Sequence, residues 1–159
     1  MSRDKELYEA QRWLETGNED LDAARVLLEK DKFSHACFFA QQAGEKALKA
    51  LWFFIGEDPW GHSIQKLISE FPDPSIRNLM ENLIEEASVL DRYYIPTRYP
   101  NGLPDLTPGK YYFRKDVLLC IDAAQRLLDQ VMKCMKIWIR KPGKNCQECK
   151  QDTLCSIKF

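Results

Sequence analysis

The chain has 159 residues, of which 45% are hydrophobic and 30% charged, with a formal net charge of −1. That length suits one domain with a core of its own. The near-neutral charge argues against the broad basic face that duplex nucleic acid needs, though not against a local basic cleft, and no apolar run approaches the roughly 18 residues that cross a bilayer.

The first residues, Met1 to Glu6, are charged and lack a signal-peptide core, so a cytoplasmic location is expected. Leu14, Gly17, Leu21, Ala24 and Leu28 recur at spacings of three and four, which predicts a helix from about Lys5 to Lys30. Gly17 within it points to close packing against a neighbour, or to a kink. After a break at Asp31-Lys32, a second helix is expected from Phe33 to Ile55, closed by Gly56 and followed by Pro59. A short helix follows from His62 to Glu70. Asp73 and Pro74 then suit the N-cap and first position of another helix.

The stripe Ile76, Leu79, Met80, Leu83, Ile84, Ala87 and Leu90 predicts that helix to run until shortly before Pro96. Residues 100–109, with three prolines and two glycines, read as a loop. The last helix spans about Phe113 to Ile139 and stops at Pro142-Gly143. No strand is convincing. The expected fold is all-α: an antiparallel up-down bundle of four long helices plus one short helix over residues 1–140. A flexible, cysteine-containing tail is expected over 141–159.

The second helix is apolar or small on nearly every side, so it is expected to be buried. Its polar groups must then find partners. Gln42, Glu45, Lys46 and Lys49 share one side, and Glu45 precedes Lys49 in the favourable i,i+4 order. One reading is a solvated stripe with an ion pair; the other is a cleft or dimer seam whose lysines face an anion. Phe38, Phe39, Trp52 and Phe53 flank the stripe and favour an interface, hence an expected homodimer.

Arg92 and Arg98 bracket Tyr93-Tyr94, and Tyr99 follows. Forked guanidinium donors suit phosphate, and phenol rings can stack on a base. The plainer reading is that Arg98 ties down the proline loop. Of the two histidines, His62 can begin a helix beside Ser63, and neither it nor His35 is singled out for chemistry. Cys37, Cys120 and Cys134 read as core residues. Cys146, Cys149 and Cys155 give one Cys-x-x-Cys spacing but fall one ligand short of a closed zinc site. All six cysteines are expected as reduced thiols.

The segment Ala36-Cys37-Phe38-Phe39-Ala40-Gln41-Gln42-Ala43-Gly44-Glu45-Lys46-Ala47-Leu48-Lys49-Ala50-Leu51, then His62-Ser63-Ile64, then Tyr94-Ile95-Pro96-Thr97-Arg98-Tyr99-Pro100, resembles in order the HEPN family of nucleotide-binding helical domains. The resemblance covers about residues 9–138. It implies a helical bundle that pairs into dimers. It also implies a partner such as a minimal nucleotidyltransferase on a separate chain, or a place in a larger chaperone-related protein such as sacsin. The implied role is binding a nucleotide or other anionic ligand, for which Lys46, Lys49, Arg92, Tyr94, Arg98 and Tyr99 are the candidate residues. The family's ribonuclease branch carries an arginine followed within four to six residues by a histidine. Here the arginine nearest before either histidine is Arg25, so that motif is absent. No catalytic residue, metal or cofactor is expected. A ribonuclease with an unrecognised site and a purely structural dimerisation domain are the alternatives.

Overall fold

The computed structural model describes residues 2–140, and the tail expected over 141–159 lies outside them. The described residues form α1 (Arg3–Glu29), α2 (Phe33–Phe54), α3 (Ile64–Ser69), α4 (Pro74–Glu81), α5 (Ile84–Asp91), α6 (Pro108–Tyr111) and α7 (Arg114–Ile139), with a 3-10 turn at Pro100–Gly102. They contain no strand, as expected. No helix among them is long and apolar enough to cross a membrane.

Helix α2 is the centre of the bundle. It packs along α1 on one side and α7 on another, and also meets α3, α5 and α6. Its small residues make this possible: Ala36, Ala40, Ala43, Ala47 and Ala50 are all fully buried. The turn from α1 into α2 is short because Asp31 takes a left-handed φ of 55°. There Lys32 N–H donates to the Leu27 carbonyl and Asp31 N–H to that of Leu28, which satisfies the last carbonyls of α1. Gly56, at φ 85°, ends α2 in the same way. Asp73 caps α4 by accepting from Ile76 N–H at 3.0 Å, with Pro74 following it. Both of these ends match the sequence signals.

Two elements differ from expectation. The single helix expected between Pro74 and Pro96 is broken at Asn82-Leu83. Leu83, at φ −114° and ψ 20°, donates to the Met80 carbonyl three residues back, so the i−4 ladder lapses there. Leu83 and Ile84 are half-buried on either side of the break, and this is why apolar spacing alone does not reveal it. The loop expected over 100–109 contains the 3-10 turn and leads into one turn of α6.

The aromatic side chains of α2 are largely used inside the protomer. The Trp52 indole N–H donates to the Leu67 carbonyl at 3.1 Å, and its ring stands edge-on to Phe71. Phe53 lies against Trp13 with ring centroids 5.6 Å apart. Phe39 packs against the core.

Glycines mark the closest approaches. Helix α1 runs unbroken through Gly17, where a Cβ would lie 3.2 Å from the Ala43 carbonyl oxygen, so close packing rather than a kink accounts for that residue. At Gly44 a Cβ would lie 2.8 Å from Leu90, 3.1 Å from Ile64 and 3.3 Å from Leu127. All three neighbours are fully buried, so none can swing into solvent. Alanine at Gly44 gains up to about 1 kcal/mol in helix propensity, but overpacking a filled core costs about 1–3 kcal/mol. We therefore expect Gly44→Ala to lower the urea midpoint, with a net loss of about 1 kcal/mol. A raised midpoint would show that α2, α3, α5 and α7 do not meet as closely as described.

Candidate functional site

The polar groups of α2 are buried and linked to one another. Gln41 is fully buried, Glu45 is 4% exposed and Lys49 is 8% exposed. The stripe is thus no solvated surface. Glu45 is its hub: Oε1 receives Lys49 Nζ at 3.0 Å and faces His62 Nδ1 at 3.0 Å. Oε2 accepts from Gln41 Nε2 at 3.1 Å, and Gln41 Oε1 in turn accepts from Gln42 Nε2 at 2.8 Å. A buried carboxylate needs this number of donors to remain ionised without a large penalty. Among the described residues no buried side-chain N or O lacks a partner.

His62 is fixed from two directions. Asp91, the last residue of α5, accepts from Ser63 Oγ at 2.6 Å, from Ile64 N–H at 2.7 Å and from Gln65 N–H at 3.2 Å. Ser63 Oγ accepts from Lys66 N–H, capping α3. The sequence pair His62-Ser63 is therefore anchored to α2 through Glu45 and to α5 through Asp91. The His62 ring stacks on Tyr94, with centroids 5.1 Å apart and planes 22° apart, while 59% of its side chain stays exposed. The bond to Glu45 occupies Nδ1. Nε2 makes no hydrogen bond among the described residues.

Tyr94 also holds Arg98. The guanidinium carbon lies 4.6 Å from the Tyr94 ring centre, 4.6 Å from that of Phe38 and 5.3 Å from that of Tyr99. Arg98 Nε donates to the Tyr94 carbonyl at 2.9 Å, and Thr97 Oγ1 donates to the Tyr93 carbonyl at 2.6 Å. Arg98 thus ties down the proline loop and also stands within an aromatic cage. No carboxylate among the described residues pairs with it. A cation on ring faces keeps its charge available to an anion.

The candidate residues fall into three places. Arg98, Tyr94 and Tyr99 form one exposed cluster, which Phe38 and His62 join. Lys46 and Lys49 are committed inside the protomer: Lys46 pairs with Asp20 of α1, and Lys49 pairs with Glu45 beneath the Trp13 ring. Arg92 lines a separate cleft whose walls include neither Arg98 nor Tyr94. His62 and Asp91 are the residues that the sequence does not single out, and Phe38, expected at an interface, joins the cluster through Arg98. The signal available is His62-Ser63 followed by an acidic residue at a distant helix end, and only the fold joins those two.

Among the described residues no three His, Cys, Asp or Glu side chains gather as metal ligands would. Two interior thiols, Cys120 and Cys134, are poor nucleophiles. A hydrogen bond with Cys37, then burial, push the Cys120 thiol up, and burial pushes Cys134 up to about 11.

Comparison with known proteins agrees with the helical fold. A family model described as "HEPN domain" matches residues 10–137. A Thermus thermophilus protein, TT1696, is 40% identical, with a TM-score of 0.75 over 79% of this chain and 98% of its own. An archaeal HEPN homologue, ST0689, is 32% identical, with a TM-score of 0.66 over 80% of this chain and 98% of its own. A Methanocaldococcus jannaschii protein bearing the name "Putative toxin MJ1304" is 26% identical over 134 residues, covering 80% of this chain and 88% of that protein.

The hub gives a direct expectation. Glu45→Ala leaves Lys49 buried without its carboxylate, and removing one partner of a buried pair costs about 3–5 kcal/mol. His62→Ala, at an exposed partner, is expected to cost less than about 1 kcal/mol. Urea denaturation followed by circular dichroism measures both. Equal small losses would show that Glu45 does not organise this face.

Proposed function

This chain belongs to the HEPN domain family, and from its site we propose that it is a non-catalytic module that binds a nucleotide or other anionic ligand at the Arg98 face. The observation that supports this is the Arg98 guanidinium, set among Phe38, Tyr94 and Tyr99 with no carboxylate partner among the described residues. Arg98 supplies forked donors to an anionic group, and Tyr99, half exposed, supplies a ring face to a base. Lys46 and Lys49 act in this reading through the scaffold, since each is neutralised within the protomer.

The reading includes pairing with a second copy and action beside a partner such as a nucleotidyltransferase. Apolar side chains that a partner could cover include Trp60, Leu118 and Leu119.

A second reading, ribonuclease activity, rests on one observation. Glu45 holds His62 by Nδ1 beside Tyr94, and its exposed ring could exchange protons at Nε2. The relative named as a toxin is compatible with either reading.

Calorimetric titration of ATP, GTP and a short RNA separates them. Loss of one charge-assisted hydrogen bond, roughly 1.5–3 kcal/mol, is expected to weaken binding at this face about ten- to hundredfold in Arg98→Ala. The RNA is expected to stay intact. RNA cleavage lost in His62→Ala would replace the binding reading with the ribonuclease one. Equal affinity in wild type and Arg98→Ala would place the site elsewhere.

A further inference from the structure

A second cleft lies between the end of α5 and the start of α7 and takes no part in the Arg98 cluster. Its volume is about 610 Å³, within the range that holds small organic ligands. Arg92, Lys110 and Lys115 line it, with Leu106, Tyr111 and Phe113 among the apolar walls.

The cations of this cleft differ in their pairing from those of the long-helix ion pairs. Arg12, Arg25, Arg114 and Arg126 are all ion-paired, as are Lys46 and Lys49. Arg92, Lys110 and Lys115 have no carboxylate partner among the described residues. Asp116 is the one carboxylate in the lining, so three cations against it leave two net positive charges. Asp116 is itself committed: one oxygen accepts from Phe113 N–H at 2.8 Å, and the other from the Tyr93 hydroxyl at 3.4 Å.

The smaller cleft along α1, lined by Glu9, Arg12, Trp13, Thr16 and Lys46, is a useful contrast. Its cations are paired with Glu9 and Asp20, so it offers an anion nothing. In the α5–α7 cleft, unpaired cations stand beside apolar groups left in water. Tyr111 is 39% exposed, Leu106 45% and Phe113 59%. Free cations want an anion, and exposed rings want a planar apolar body.

We propose that this cleft is a second binding site, for a phosphorylated molecule with a planar aromatic body. Arg92, Lys110 and Lys115 hold the phosphates, while Tyr111 or Phe113 stacks on the ring. A nucleoside phosphate has this chemistry, whether free or as the 5′-phosphorylated end of a strand. The site stands apart from the Arg98 face and holds even if that face binds nothing.

The test uses the full chain in the Arg98→Ala background, so that only this cleft is read. ATP is expected to bind the Arg98→Ala protein, and adenosine is not. Adding Lys110→Ala and Lys115→Ala is expected to weaken ATP binding at least about tenfold. Both lysines are exposed, so the fold should persist, and an unchanged circular dichroism spectrum checks this. Competition with 5′-phosphorylated and 5′-hydroxyl forms of one short RNA identifies the source. Displacement by the phosphorylated form alone means that the cleft also takes strand ends, and displacement by neither means that it takes the free nucleotide. Absence of ATP binding to Arg98→Ala, or binding that the two lysine changes leave untouched, would overturn the proposal. A wild-type protein with two classes of ATP site, one lost in Arg98→Ala, would support both sites separately.

Discussion

An ionised carboxylate inside a helical bundle persists only where donors replace the water it has lost. Glu45 meets that demand with Lys49 and Gln41 from its own helix and His62 from the segment before α3. Two of these contacts are local to α2. The third joins α2 to the segment before α3. The requirement to satisfy Glu45 thus fixes where His62 lies, and His62 stacking on Tyr94 sets the position of the Arg98 loop. Asp91 supplies the second anchor, binding Ser63 and the first N–H groups of α3. The exposed face is held in place by buried electrostatics one layer below it.

The division of charge gives the surface its character. Most cations of the long helices are neutralised close to home: Arg12 by Glu9, Arg25 by Asp22, Lys46 by Asp20 and Lys49 by Glu45. With a net charge of −1, that pairing leaves little field over the helix faces. Around the loops after α5 the pattern changes. Arg92, Arg98, Lys110 and Lys115 lack carboxylate partners among the described residues, and aromatic rings stand beside them. These unpaired cations and aromatic rings stand together at that end of the bundle.

Much of the fold is legible in the sequence. Apolar spacing marks the long helices, and Gly56, Asp73 and Pro74 mark ends that the structure bears out. The break at Asn82-Leu83 is hidden because apolar residues on either side keep a helical rhythm through it. The site is legible only in part. Helical spacing correctly pairs Glu45 with Lys49, but it cannot tell a buried pair from a solvated one. It also groups Lys46 with Lys49 as a free cation, because the partner of Lys46, Asp20, lies 26 residues away on α1. His62 looks like an isolated histidine because its partners are Glu45 and Tyr94, on two other elements. Long-range pairings of this kind leave no local periodicity to read.

Buried Glu45 holds His62 by Nδ1 and so organises the exposed face. Nitrogen-15 NMR of the imidazole tests it most directly, because the tautomer depends on which nitrogen donates to the carboxylate. Neutral His62 is expected to carry its proton on Nδ1, and this preference to weaken in Glu45→Gln, whose amide can either accept from Nδ1–H or donate to a bare Nδ1. A neutral His62 protonated on Nε2, unchanged by Glu45→Gln, would contradict it.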